Sequence, residues 1–254
     1  MSATELAPVR WSHLKNMCQS PAHYRYRLEH PISETPAMRI GTYVHKLLLG
    51  GPRLVEVYPG DRRGKAWEEF DAAYGKIATV LNRSEGETAS RIANAVMEHK
   101  QAMELLYSGA REETISWVQT GRVCVGTPDV ASASVLVDLK VTVSADPKIL
   151  RWHAIKMLWH AQLAWYANAL SKINGFMPAD IYIVAAESKP PYPVTILHMQ
   201  PSAIMAGEAV WASCFSRLLQ CEASGDWPAY SSVPVPFEAP SQDDLLFASE
   251  EEDA

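Results

Sequence analysis

The spacing of apolar positions divides the chain into helical and strand-like stretches. Residues 9–28, VRWSHLKNMCQSPAHYRYRL, mix aromatics with Arg10, Lys15, Arg25 and Arg27, and Pro21 interrupts them, which predicts short helices. After HPISETPA, the run MRIGTYVHKLLLG repeats its apolar residues at three and four and reads as a helix closed by Gly50 and Gly51. Residues 53–65, RLVEVYPGDRRGK, begin strand-like and become a basic loop, and AWEEFDAAYGKIA predicts a helix. Another helix is expected over about residues 89–107, with Ile92, Val96, Met103 and Leu106 on one apolar stripe and Met97 and Met103 serving packing.

The period then shortens. ETISWVQ and RVCVGT alternate and SVLVDLKVT is strongly apolar, so three neighbouring strands are expected. Residues 151–173 read as one long helix, apolar around much of its circumference and therefore buried against a sheet. DIYIVAA and PVTILHM supply two more strands around a Lys-Pro-Pro turn, and residues 202–222 a final helix. This order predicts an α/β fold in which a mixed β-sheet is flanked by helices. A single domain over residues 1–240, with a helical N-terminal elaboration, is expected. No GxGxxG or GxxxxGK[ST] phosphate loop is present in the sequence, which disfavours a nucleotide-binding fold.

Composition refines the picture. The 254 residues, 48% of them hydrophobic, suffice for a substantial core. Cys18, Cys124, Cys214 and Cys221 are few and dispersed, which argues for buried thiols and against a disulfide framework. The opening MSATELAPVRW lacks a secretory pattern and no apolar run is long enough to cross a bilayer, so a soluble cytoplasmic protein is expected. Of the net charge of -6, six acids lie in the final DDLLFASEEEDA, leaving the preceding residues formally neutral. Residues 241–254 are expected to be a disordered acidic tail, and charge alone neither requires nor excludes a nucleic-acid partner.

The candidate chemistry lies in GTPDVASASVLVDLKVT. Asp129 closes one strand region, and Asp138 and Lys140, two apart on the next, share a face while Leu139 points into packing. A charge between Val137 and Leu139 needs partners. An ion pair with Lys140 would satisfy it structurally. A divalent cation would do so chemically, because hard carboxylate oxygens suit Mg2+ or Mn2+ and leave room for water and phosphate. Lys140 would then position water or stabilise phosphoryl charge.

The order Pro128-Asp129 and Asp138-Leu139-Lys140 matches the PD-(D/E)XK pattern. Together with SPAHYR, MRIGTYVHKLLL, GDRRGKAWEEF and HAQLAWYANAL, it resembles the phage and prophage RecE-type exonucleases, the exonuclease VIII group related to lambda exonuclease. The resemblance spans about residues 20–170. It implies a restriction-endonuclease-like core in which His45, in the G-x-x-x-H element with Gly41, binds metal beside Asp129, Asp138 and the carbonyl of Leu139. It maps a Q-x-x-x-Y element onto Gln162 and Tyr166, four apart on one helical face. Glu113 is a weaker candidate for an outer carboxylate, with Glu112 beside it as a competitor. Arg62, Arg63 and Lys65, with Arg25 and Arg27, are candidates for phosphate contacts. Thr127 and Val141 depart from the residues common in the group. Cys214 and Cys221 lack a close CxxC-type grouping, so no iron–sulfur cluster is expected.

The expected activity is an Mg2+-dependent deoxyribonuclease, with Mn2+ able to substitute, acting 5′ to 3′ on the ends of linear double-stranded DNA. The resemblance also implies a homo-oligomer and a RecT- or Bet-type single-strand annealing protein as partner, with no membrane association. The alternatives are an endonuclease or structure-specific repair nuclease, and an inactive DNA-binding accessory protein.

Overall fold

Side-chain caps and prolines set the helix starts in the computed structural model, which describes residues 6–237. The expected acidic tail, residues 241–254, lies outside the described residues. Helix α1 (Trp11–Leu14) runs into a 3-10 turn, Lys15–Cys18. Ser20 caps α2 (Pro21–Glu29) and Thr35 caps α3 (Pro36–Leu49), each with proline at the first turn, where its missing N–H costs nothing. There follow β1 (Val55–Tyr58), α4 (Gly64–Tyr74) and β2 (Thr79–Asn82). Asn82 and Glu85 form a reciprocal capping box at the start of α5 (Arg83–Glu98), and α6 (Lys100–Leu106) comes next.

Strands β3 (Ala110–Arg111), β4 (Ile115–Gln119), β5 (Arg122–Gly126), β6 (Val130–Ala131) and β7 (Val135–Thr142) lead to α7 (Pro147–Lys156) and α8 (Trp159–Asn174). The chain closes with β8 (Asp180–Glu187), β9 (Val194–His198) and α9 (Pro201–Ser224). The main sheet has five strands in the order β3-β6-β7-β8-β9, with β7 and β8 parallel and the other pairs antiparallel. It is a mixed sheet flanked by helices, as the sequence pattern predicts. No helix among the described residues is long and apolar enough to cross a membrane.

Alternation along β7 and β8 sorts side chains onto two faces. Leu136, Ile181, Ile183 and Ala185 join the core under α8 and α9, whereas Val137, Leu139, Val184 and Ala186 pack with α3, α5 and α6. Asp138 and Lys140 share the parity of Leu136 and so emerge on the α8 side.

Three expected elements differ in the structure. The long helix over 151–173 is two helices, because Leu158 adopts a left-handed φ of 58° that starts α8 in a new direction. The helix over 89–107 breaks at His99, whose ring accepts the N–H of Ala102 at 3.2 Å and caps α6. The alternating stretches at β4 and β5 form their own hairpin around Thr120 and Gly121, both at positive φ, and not a ladder with β7. Not expected from the pattern is β2, which pairs in parallel with β1.

Candidate active site

The β6–β7 ladder is short, and a carboxylate continues it. Past the pair Val130–Val137, the N–H of Leu139 donates to Asp129 Oδ2 at 2.6 Å, which fixes the side chain at the strand edge. The Asp129 carbonyl in turn accepts the N–H of Glu112 at 3.0 Å. Glu112 is held at φ 54°, an uncommon conformation for a residue with a side chain.

His45, from α3, completes this edge. Its Nε2 donates to the Leu139 carbonyl at 2.9 Å, which turns Nδ1 towards Glu112 Oε1 and Asp129 Oδ1, 3.5 Å from each. Burial disfavours charge on the imidazole, but Asp129 and Glu112 outweigh it and hold the group above its ordinary value. His45, Glu112 and Asp129 each offer a ligand atom, all within 4.8 Å of one another. The Leu139 oxygen already accepts from His45 and keeps its second lone pair.

On the adjoining side, Asp138 is 1% exposed, and Lys140 Nζ lies 2.6 Å from its Oδ2 as an ion pair without hydrogen-bond alignment. Oδ1 has no partner. Burial pushes the Asp138 carboxyl up to about 6 even though Lys140 pulls it down. Burial acts to lower Lys140, yet Asp138 and Asp129 together raise it, so the ammonium stays charged. The imidazole of His45 with the carboxylates of Glu112 and Asp129 is a donor set that Mg2+ or Mn2+ accepts, and the free Oδ1 of Asp138 lies in the same charge environment as Asp129 and His45.

Helix α8 covers the site. The break at Leu158 brings the Trp159 ring to 5.9 Å from Lys140 Nζ, and Gln162 and Tyr166 follow on one face. Tyr166 is buried, and its hydroxyl is pushed up to about 12, by burial first. Its ring occupies the place of a missing side chain: a Cβ on Gly126 would lie 2.5 Å from Tyr166 Cε1. Gly126 therefore sets how closely α8 approaches β5.

The structure thus brings together His45, Asp129, Asp138, Leu139 and Lys140, with Tyr166 above them. Glu113 is exposed and outside the cluster, and Glu112 takes the place expected of it. The candidate phosphate-binding cations have partners within the chain. Arg62 donates to the Val80 carbonyl at 2.8 Å and lies over Trp67, straps that tie the start of α4 to β2. Arg63 pairs with Asp61 at 2.7 Å, Lys65 with Glu69 at 3.7 Å and Arg25 with Glu29 at 3.8 Å, and Arg27 lies 6.0 Å from the centre of the Tyr26 ring. Lys15, an exposed side chain on the 3-10 turn, has its ammonium pKa lowered by desolvation first and by the charge of Lys140 second.

A family described as "PDDEXK-like domain of unknown function (DUF3799)" matches residues 11–233. Among solved structures, that of a "Putative exonuclease" from Eubacterium rectale is similar, with a TM-score of 0.65 at 14% identity over 96% of this chain and 97% of the other. At that identity the likeness establishes the fold. No curated protein matches the chain.

Proposed function

The chain belongs to the PDDEXK-like family DUF3799, and from that premise we propose that it is a metal-dependent deoxyribonuclease that degrades linear double-stranded DNA from its 5′ ends. One observation carries the nuclease reading: His45 of α3, Glu112 after β3 and Asp129 before β6 offer ligand atoms within 4.8 Å of one another, with the Asp138–Lys140 pair of β7 beside them. A divalent cation held there would supply electrophilic charge to a phosphodiester and acidify water.

The protein's own groups do the rest. Asp129 is pinned by the Leu139 N–H and the His45 ring by the Leu139 carbonyl, so both are ordered before substrate arrives. Lys140 remains charged and is positioned to stabilise the oxygens of the phosphoryl group as charge develops. Trp159 and Tyr166 wall off water on the α8 side. Hydrolysis forms a bond from water oxygen to phosphorus and breaks the bond to the 3′ oxygen, leaving a 3′-hydroxyl and a 5′-phosphate.

The 5′ to 3′ exonuclease reading is supported by the resemblance of SPAHYR, MRIGTYVHKLLL, PDV, VDLKVT and HAQLAWYANAL to RecE-type enzymes, and by the description of the Eubacterium rectale protein. The same resemblance supports a closed homo-oligomer around duplex DNA and a single-strand annealing protein as recipient of the 3′ strands.

End-labelled linear duplex and covalently closed circles, incubated with Mg2+ or chelator, test this. Linear DNA is expected to be degraded only with Mg2+ and circles to survive; Asp138→Ala and Lys140→Ala are each expected to lose about a hundredfold or more in rate. Cleaved circles would overturn the exonuclease reading, and variants as active as the parent would overturn the site.

A further inference from the structure

Four residues, 143–146, join the active-site strand β7 to helix α7, and the chain returns to the site through α8. Two contacts hold α7 there. His153 Nδ1 lies 3.0 Å from Thr142 Oγ1, and the His153 ring packs on Trp159 at 5.1 Å between centroids. Trp159 in turn faces Lys140. One aromatic ring therefore separates α7 from the lysine of the proposed nuclease centre.

The outer face of α7 is unusual for a chain with a net charge of -6. PKILRWHAIK contains Lys148, Arg151 and Lys156 and no acid. Among the described residues none of these three cations takes part in an ion pair. The neighbouring acids are engaged with backbone: Asp146 Oδ1 accepts the N–H of Lys148 at 2.7 Å, and Glu187 Oε2 that of Ala145 at 2.9 Å. Between the cations, Trp152 stands 74% exposed, with Ile149 and Ile155 exposed one turn to either side. Leu150 and Ala154, on the opposite face, are buried and anchor the helix, so the exposure of Trp152 is not the fraying of a loose segment.

We propose that α7 is a binding platform for a single-stranded segment of the DNA at the active site, with bases stacking on Trp152 and phosphates paired to Lys148, Arg151 and Lys156. The proposal rests on the nuclease reading for its substrate class and adds the place where an unpaired strand lies. An indole surrounded by cations matches an unpaired strand, because every base offers a π-face and every linkage a negative charge. Duplex DNA hides its base faces and would be served by the cations alone.

The test measures binding of a fluorescent thymidine oligonucleotide of about 15 nucleotides to the full chain in chelator, where no cleavage occurs. Trp152→Ala is expected to weaken single-strand binding between about fivefold and a hundredfold, the range of one lost stacking contact, with Trp152→Phe restoring most of it. Binding to a blunt duplex is expected to change less than about twofold. Replacing Lys148, Arg151 and Lys156 by alanine is expected to flatten the salt dependence by about 0.7 per cation. Because Trp152 is exposed, circular dichroism of the variants should match the parent. Oligonucleotide affinity untouched by Trp152→Ala would overturn the inference, as would equal losses on single strand and duplex. A Trp152-dependent affinity for anionic phospholipid vesicles with none for the oligonucleotide would also overturn it. A chain that binds the strand through Trp152 but hydrolyses nothing with Mg2+ or Mn2+ would support the platform and refute the nuclease, so the two readings fail separately.

Discussion

Gly126→Ala adds one methyl group at the point where β5 meets the helix covering the site. The new Cβ would lie 2.5 Å from Cε1 and 3.0 Å from Cδ1 of Tyr166, whereas carbon atoms rest about 3.5–4.0 Å apart, so the ring must retreat by about 1 Å. The ring is buried and cannot swing into solvent. Overpacking of this kind costs about 1–3 kcal/mol, and a shift of about 1 Å in a positioning group costs on the order of a hundredfold in rate. Urea unfolding and initial rates on linear duplex would read both effects. Tyr166→Ala removes the obstructing atoms, so adding Gly126→Ala to that variant should be neutral or stabilise slightly, since alanine restricts the unfolded chain more than glycine. The cycle should show a coupling of about 1–3 kcal/mol. A Gly126→Ala protein as stable and active as the parent, or a penalty that persists without the Tyr166 ring, would refute the close approach as the reason for glycine here.

Glu112→Ala should weaken Mn2+ binding in calorimetry by about tenfold or more, while Glu113→Ala leaves it unchanged; the reverse order would return the outer carboxylate to Glu113. Arg39 pairs with Glu85 across α3 and α5 with side chains 17% and 9% exposed, so Arg39→Ala should destabilise by about 3–5 kcal/mol, with Arg39→Ala plus Glu85→Gln recovering part of the loss. A loss below about 1 kcal/mol in chemical denaturation would show the pair to be solvated. Cys18 should be the thiol that iodoacetamide modifies fastest, its rate rising as pH passes through about 7, because the hydrogen bond with Cys214 lowers it most and Arg217 assists. Mass spectrometry should find Cys124, which burial pushes up to about 11, unmodified in the folded protein, and equal labelling of the two would contradict this.

The strand alternation of β7 made the pairing of Asp138 with Lys140 on one face readable, since nothing in that strand disturbs the two-residue period. Two-residue alternation does not decide between Glu112 and Glu113. It assumes extended backbone, and the left-handed φ of Glu112 resets which residue faces the cluster. Leu158 hid the division between α7 and α8 for a related reason: a left-handed leucine carries no glycine or proline to announce it. The parallel pairing of β1 with β2 depends on residues brought together across α4, which no local pattern encodes. His45 was legible through resemblance alone, since its role comes from meeting the Leu139 carbonyl far along the chain. The basic run Arg62, Arg63 and Lys65 showed its charges but not the partners they take.

Anomalous diffraction from crystals soaked in Mn2+ would locate the metal itself. A peak is expected among His45 Nδ1, the Glu112 and Asp129 carboxylates and Asp138, lost in Asp138→Ala crystals that retain the fold. A peak elsewhere, or an empty cluster in crystals of protein that cleaves DNA with Mn2+, would contradict the proposed metal site.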